Sequence, residues 1–187
     1  MSTHPPIDPL PDDAAKALRV VIVVSRYNAS VTHALLDGAV ARFHALGGVS
    51  ENLAVIPVPG AYELTAGAAM ATSMRPDAVV ALGCVIKGET DHDLHISQAV
   101  AQGLTRVSID ARTPVAFGVL TTRTAEQAIE RATSAGGGKG AEAMAAAIET
   151  ARASRLVSDK AHDPWKAFAA HSFAHGETDK ASGGGDH

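Results

Sequence analysis

Four short apolar segments rich in β-branched residues alternate with longer segments of helical periodicity, and this alternation constrains the fold more than any other feature. The first segment, Val20 to Val24, contains no polar residue, which is typical of a strand buried on both faces. Strands that alternate with helices at this spacing form a parallel sheet with right-handed crossovers. The sequence therefore predicts a three-layer α/β/α sandwich around a four-stranded parallel sheet.

The predicted elements also indicate where a ligand binds. Strands are expected at residues 19–25, 52–57, 77–86 and 115–120, and helices at 31–46, 62–74, 92–109, 124–132 and 140–154. In such sheets ligands bind beyond the carboxyl ends of the strands. The candidate functional segments are therefore residues 25–30, 58–63, 84–92 and 120–123.

The two ends of the chain differ in composition from this central part. Residues 1–17 contain four prolines and are predicted to be a flexible arm. Helical periodicity fades after residue 154, and residues 176–187 are of low complexity. We therefore expect one domain at residues 18–154, followed by a partly disordered C-terminal extension at residues 155–187.

Composition excludes several classes of protein. A net charge of −4 and a pI of about 6.1 do not provide the basic surface of a nucleic-acid-binding protein. No apolar run approaches the ~20 residues that span a bilayer. The one cysteine, Cys84, excludes an intrachain disulfide. We expect a cytoplasmic protein that binds neither nucleic acid nor membrane.

The segment Gly88-Glu-Thr-Asp-His92 follows a predicted strand and begins a predicted helix. Backbone N–H groups at a helix N-terminus, together with the hydroxyl of Thr90, can bind an anion. His92 can then transfer protons beside that anion. The alternative is a capping loop with a solvated histidine.

The spacing of His92 and His95 raises the hypothesis of a metal site, since one helical turn can present both imidazoles to one ion. The chain offers no third ligand at a recognised spacing, and the facing of Cys84 is undetermined by the sequence. We therefore expect no metal.

Arg131 and Lys139 flank a glycine-rich tract that superficially resembles a phosphate-binding P-loop. A P-loop requires glycine six residues before its lysine and a hydroxyl residue after it, but Thr133 and Gly140 occupy those positions. The alternatives are two solvated cations around a hinge, or an arginine that contacts phosphate with two hydrogen bonds.

Three further residues lie beyond predicted strands. Glu63 is either a residue that matches the helix dipole or a carboxylate that accepts hydrogen bonds from two hydroxyls of a polyol. Tyr62 is its neighbour. Tyr27 either stacks on a planar ring or covers part of the core.

Together these segments resemble lumazine synthases, the enzymes of the penultimate step of riboflavin biosynthesis. The resemblance spans about residues 19–154 and rests on five ordered blocks: Val58-Pro-Gly-Ala-Tyr-Glu-Leu64, Ala81-Leu-Gly-Cys-Val-Ile-Lys-Gly-Glu-Thr-Asp-His92, Gln102-Gly-Leu-Thr-Arg-Val-Ser108, Phe117-Gly-Val-Leu-Thr-Thr122 with Glu126-Gln-Ala-Ile-Glu-Arg131, and Lys139-Gly-Ala-Glu142. It implies a flavodoxin-like sandwich. It also implies the condensation of 5-amino-6-(D-ribitylamino)uracil with 3,4-dihydroxy-2-butanone 4-phosphate to 6,7-dimethyl-8-ribityllumazine.

The resemblance also implies residue roles. His92 transfers protons, and Glu89, Thr90 and Arg131 bind the butanone phosphate. The ribitylaminouracil is bound by Tyr27, Ala61, Tyr62, Glu63, Cys84, Val85, Ile86, Phe117 and Lys139. Phe117, Arg131 and Lys139 come from a neighbouring subunit. The substrate brings its own amine, so no cofactor is expected.

Members of the family form pentamers, and some build sixty-subunit shells from twelve pentamers. The spacing from Arg131 to Lys139 is compatible with such a shell, and riboflavin synthase is a candidate partner. This chain departs from the family where Asp93, Leu94 and His95 replace the usual Phe, acidic residue and Tyr. A different class is also considered: a flavin or lumazine carrier, or a compartment-forming protein, without turnover.

Overall fold

The computed structural model describes residues 10–159, Asp163 and Trp165. The chain divides into a first unit of residues 1–152 and a second of residues 153–187. The predicted C-terminal extension therefore lies mostly outside the described residues, as do residues 1–9 of the predicted arm.

All four predicted strands are present and form one parallel sheet. They are β1 (Val20–Ser25), β2 (Leu53–Val58), β3 (Ala78–Ile86) and β4 (Val115–Thr122), in the order β2-β1-β3-β4. After β1 the chain first builds β2 on one side and then β3 on the other, so the strand order reverses between β1 and β3. This point is where a flavodoxin-like sheet opens a crevice for a ligand.

Five α-helices cover the sheet in the described part of the chain: α1 (Ala29–Ala45), α2 (Leu64–Thr72), α3 (His92–Ala111), α4 (Ala125–Thr133) and α5 (Gly138–Ser158). Alternate residues of β1 show which helices lie on which face. Ile22 packs in the cluster that contains residues of α1, α4 and α5, whereas Val23 packs with residues of α2 and α3. The predicted three-layer α/β/α sandwich is confirmed.

Helices α1 and α5 approach each other closely because both carry glycine at the contact. A Cβ atom on Gly140 would collide with the carbonyl oxygen of Leu35, and one on Gly38 with that of Gly137. Gly136, Gly137 and Gly138 all have positive φ, between 61° and 91°, which glycine adopts without strain. The predicted hinge between the last two helices is therefore a left-handed turn.

The predicted flexible arm is wrong for its carboxyl-terminal part. Ala14, Ala15 and Leu18 are buried in the core, and the backbone N–H of Ala15 donates to the carbonyl oxygen of Leu46 at 2.8 Å. The four prolines suggested an irregular arm, but small apolar side chains after Pro11 allow these turns to pack against the end of α1.

Most helix boundaries differ from the prediction by one to four residues. Helix α2 begins at Leu64 instead of residue 62, since residues 61–63 form a turn. Helix α5 runs from Gly138 to Ser158, beyond the predicted end at residue 154. The sequence shows no apolar periodicity after residue 154 because the last turns of α5 are largely exposed and bury no continuous apolar face. Among the helices that the structure describes, none combines the length and apolar character needed to cross a bilayer.

Candidate active site

An open cavity of about 940 Å³ lies at the reversal point of the sheet. Its walls come from the carboxyl ends of three strands and from the start of α3. The predicted site residues that line it are Tyr27, Ala61, Tyr62, Glu63, Cys84, Val85, Ile86, Thr90 and His92. Residues distant in sequence thus meet because parallel strands end at the same edge.

Asn28 links two walls of this cavity. Its side-chain Nδ2 donates a hydrogen bond of 3.0 Å to the backbone carbonyl of Cys84, which joins the loop after β1 to the end of β3. The backbone of Asn28 is left-handed, with φ 59° and ψ 48°, a conformation that asparagine tolerates better than most residues. Sequence reasoning missed Asn28, although an asparagine directly after a predicted strand is the local signal of such a turn.

We expect Asn28→Ala to lower the free energy of unfolding by about 1.5–3 kcal/mol, because it removes the hydrogen bond and strains the left-handed backbone. Asn28→Gly is the matched control. It removes the same hydrogen bond, but glycine adopts the left-handed conformation without strain, so we expect a smaller loss of unfolding free energy, about 0.5–1.5 kcal/mol. Urea unfolding of both variants measures the difference. Equal losses would show that backbone strain contributes nothing.

The turn after β2 presents a carboxylate and an aromatic ring to the cavity. One oxygen of Glu63, Oε2, accepts a hydrogen bond of 2.9 Å from the backbone N–H of Gly60, which holds the side chain in place. The rings of Tyr62 and Tyr27 are 63% and 73% exposed, so both are accessible to a ligand. Glu63 therefore does more than match the dipole of a helix, because its carboxylate also stabilises the turn at Gly60 through this hydrogen bond.

The end of β3 forms the floor of the cavity. Cys84 is buried, and desolvation by burial raises the pKa of its thiol to about 11. The thiol therefore stays protonated at neutral pH and does not act as a nucleophile. Val85 and Ile86, the next two residues of β3, line the cavity beside Cys84.

The loop of residues 87–91 connects β3 to α3, and His92 is the first residue of that helix. His92 is exposed and lines the cavity, as His95 does one turn later. Thr90 lines the cavity, whereas Glu89 lies in the exposed loop without lining it. In the part of the chain that the structure describes, no three His, Cys, Asp or Glu side chains gather in a metal-binding arrangement.

Two smaller cavities are lined by residues of β4 and of the helices that pack next to it. The second, of about 410 Å³, contains Arg131 and Arg123 and shares Val85, Lys87 and Asp93 with the large cavity. The third, of about 380 Å³, contains Phe117, Lys139 and again Arg131. Within one chain, Phe117, Arg131 and Lys139 therefore do not line the cavity that contains His92.

Two comparisons with known proteins identify the family of the chain. A sequence profile of the family described as 6,7-dimethyl-8-ribityllumazine synthase matches residues 17–155. The chain belongs to this family. It is 49% identical over 138 residues to the 6,7-dimethyl-8-ribityllumazine synthase of Edwardsiella ictaluri (strain 93-146), and the match covers 73% of this chain and 88% of that protein.

The lumazine synthase profile covers every strand of the sheet and all residues that line the three cavities. Among these residues, sequence reasoning assigned no binding role to Asn28, Lys87, Asp93 or Arg123. Lys87 lies inside one of the five blocks, and Asp93 follows that block as a departure from the family pattern. Their place between two cavities was not visible in the sequence, because it depends on how α3 and α4 pack around the end of the sheet.

Proposed function

We propose that this chain is a transferase of riboflavin biosynthesis that condenses 5-amino-6-(D-ribitylamino)uracil with 3,4-dihydroxy-2-butanone 4-phosphate to 6,7-dimethyl-8-ribityllumazine. The family membership carries this proposal. The cavity supports it, since one open space combines accessible aromatic rings, a held carboxylate and a histidine. Phosphate and water leave in the reaction.

The absorbance of the lumazine product tests this function directly. Purified protein is mixed with both substrates, and product formation is compared with a reaction without protein. We expect turnover at a rate proportional to protein concentration. Binding of added lumazine without any acceleration of its formation would identify a carrier and contradict the proposal.

The first substrate is proposed to occupy the large cavity. Tyr27 stacks on its pyrimidine ring, and backbone groups of Cys84, Val85 and Ile86 bind the ring edge. The turn that contains Ala61, Tyr62 and Glu63 holds the ribityl chain. Glu63 retains acceptor capacity for hydroxyl groups, because a carboxylate has about four lone-pair positions and the bond to Gly60 uses one.

The second substrate is proposed to place its phosphate at Glu89, Thr90 and Arg131, with its carbonyl near His92. Arg131 is exposed and lines both smaller cavities, so its guanidinium is accessible to a phosphate bound in the site of an adjacent subunit. Arginine suits this role because its planar guanidinium binds phosphate with two hydrogen bonds.

The chemistry requires little of the protein besides positioning and proton transfer. The amine of the ribitylaminouracil attacks the ketone of the butanone phosphate, water leaves as an imine forms, and phosphate leaves with its C–O electron pair. Loss of the C3 proton drives the departure of phosphate, and tautomerisation of the resulting enol leaves a carbonyl at C3. The ribityl-bearing amine attacks this carbonyl, which closes the new ring and releases a second water. His92 accepts and returns protons during these steps, and no cofactor is needed because the nucleophile belongs to the substrate.

We infer that the complete site forms between two subunits, with Phe117, Arg131 and Lys139 supplied by the neighbour. Phe117 and Lys139 support this arrangement, because they line a cavity that shares no residue with the His92 cavity of the same chain, and Arg131 does not line the His92 cavity either. We propose a homopentamer as the smallest active assembly and a sixty-subunit shell as the larger assembly that such pentamers can build. Riboflavin synthase is the proposed partner, and the cytoplasm is the proposed location. Light scattering measures the assembly, and a stable active monomer would contradict a shared site.

Mixed oligomers test the shared site. We expect co-expressed His92→Ala and Arg131→Ala subunits to recover about a quarter of wild-type activity, because a random neighbour pair supplies both intact residues in about one of four cases. Each variant alone is the baseline. A mixture of His92→Ala with the doubly substituted chain is the matched control, since no subunit then supplies His92. Recovery no greater than the control would show that each site lies within one subunit.

A further inference from the structure

Asp93 lies at the boundary between the cavity that contains His92 and the cavity that contains Arg131. It lines both cavities, together with Val85 and Lys87. Under the proposed function, the butanone phosphate reacts near His92 and places its phosphate at Glu89 and Thr90, beside an Arg131 that the neighbouring subunit supplies. Asp93 is therefore next to the loop that receives the phosphate.

The side chain of Asp93 also restrains the loop that precedes it. The loop begins where the backbone N–H of Lys87 donates to the carbonyl of Thr122 at 2.8 Å. The next N–H, that of Gly88, donates to Oδ1 of Asp93 at 3.3 Å. Residues 87–91 are exposed, and a Cβ at Gly88 would contact nothing within 4 Å, so packing does little to hold this part of the chain.

The charge of Asp93 does not by itself favour a phosphate. The other charged residues that line the second cavity are the cations Lys87, Arg123 and Arg131. A carboxylate among these cations reduces the local positive potential. If Asp93 strengthens the binding of the butanone phosphate, it must therefore do so through its hydrogen bond to the backbone N–H of Gly88.

We propose that Asp93 is a positioning residue that holds the 87–91 loop in the conformation that receives the phosphate of the second substrate. Its hydrogen bond to Gly88 fixes the first turn of the loop. Thr90 and the backbone around Glu89 then face the phosphate without first having to be ordered. This inference rests on the proposed function.

Two substitutions separate the hydrogen bond from the charge. Asp93→Ala removes both, and we expect KM for the butanone phosphate to rise about fivefold while KM for the ribitylaminouracil stays unchanged. Asp93→Asn removes the charge but keeps an acceptor oxygen, and we expect KM at or below the wild-type value. Asp91→Ala is the matched control, since it removes a carboxylate from the same loop that lines neither cavity.

Hydrogen exchange of the Gly88 amide, measured without substrate, gives a readout independent of turnover. We expect faster exchange in Asp93→Ala than in Asp93→Asn or wild type. The proposal is wrong if exchange is equal in all three, if Asn and Ala raise KM equally, or if Asp91→Ala causes the same rise. Wild-type protein that forms no lumazine would instead refute the proposed function on which the inference rests.

Discussion

Replacing His92 with alanine is expected to lower kcat by about a hundredfold while leaving product formation clearly above the reaction without protein. His92 is exposed at the start of α3 and lines the large cavity, so its imidazole can reach a substrate without displacing core side chains. General acid–base catalysis typically contributes about 10²–10⁴-fold. Bringing two substrates together contributes separately and is retained in the variant.

The measurement is steady-state kinetics with each substrate varied in turn. KM for both substrates should change by less than about threefold, because His92 acts mainly in proton transfer. His95→Ala is the matched control, as this histidine lines the same cavity one turn away and carries no assigned role. Complete loss of activity in a folded variant that still binds substrate, or an equal loss for His95→Ala, would contradict the assignment.

Replacing Arg131 with alanine is expected to reduce kcat/KM for the butanone phosphate by about 10- to 100-fold. A charge-assisted hydrogen bond contributes about 1.5–3 kcal/mol, and each 1.4 kcal/mol corresponds to about a tenfold change. Arg131 is exposed near the end of α4 and lines both smaller cavities, so it can present its guanidinium to a phosphate. Binding of the uncharged ribitylaminouracil should stay unchanged.

Arg131→Lys should recover only part of the loss, since an ammonium cannot form the planar pair of hydrogen bonds. Arg106→Ala is the control for charge alone: it removes a cation from an exposed pair with Asp110 on α3, away from the three cavities. Unchanged kinetics for the butanone phosphate in Arg131→Ala would refute the phosphate role. An equal effect of Arg106→Ala would attribute the loss to net charge.

Local patterns predicted most of the framework. The β-branched runs indicated all four strands, and the segments after β1, β2 and β3 were correctly expected to gather at one edge. His92 and Thr90 were predicted as site residues because their loop follows a strand and begins a helix, a signal contained within a few residues, and both line the large cavity. The packing of residues 10–17 was missed, because it depends on the distant end of α1.

Other features had no local signal. The bond from Asn28 to Cys84 joins residues 56 positions apart. The position of Asp93 between two cavities depends on the direction of α3 relative to α4 and the end of β4. A sequence pattern reports which residues share one element's face, but not which faces of different elements meet.

The sequence by itself determined the class of fold, the edge of the sheet that carries the site, and the resemblance that led to the family. Hydrophobic periodicity is a property of neighbouring residues, so it survives without any knowledge of packing. The tertiary structure alone decided that Phe117, Arg131 and Lys139 lie apart from His92 within one chain. That separation depends on how β4, α4 and α5 pack beyond the edge of the large cavity, and it supports the shared site that the family resemblance implies.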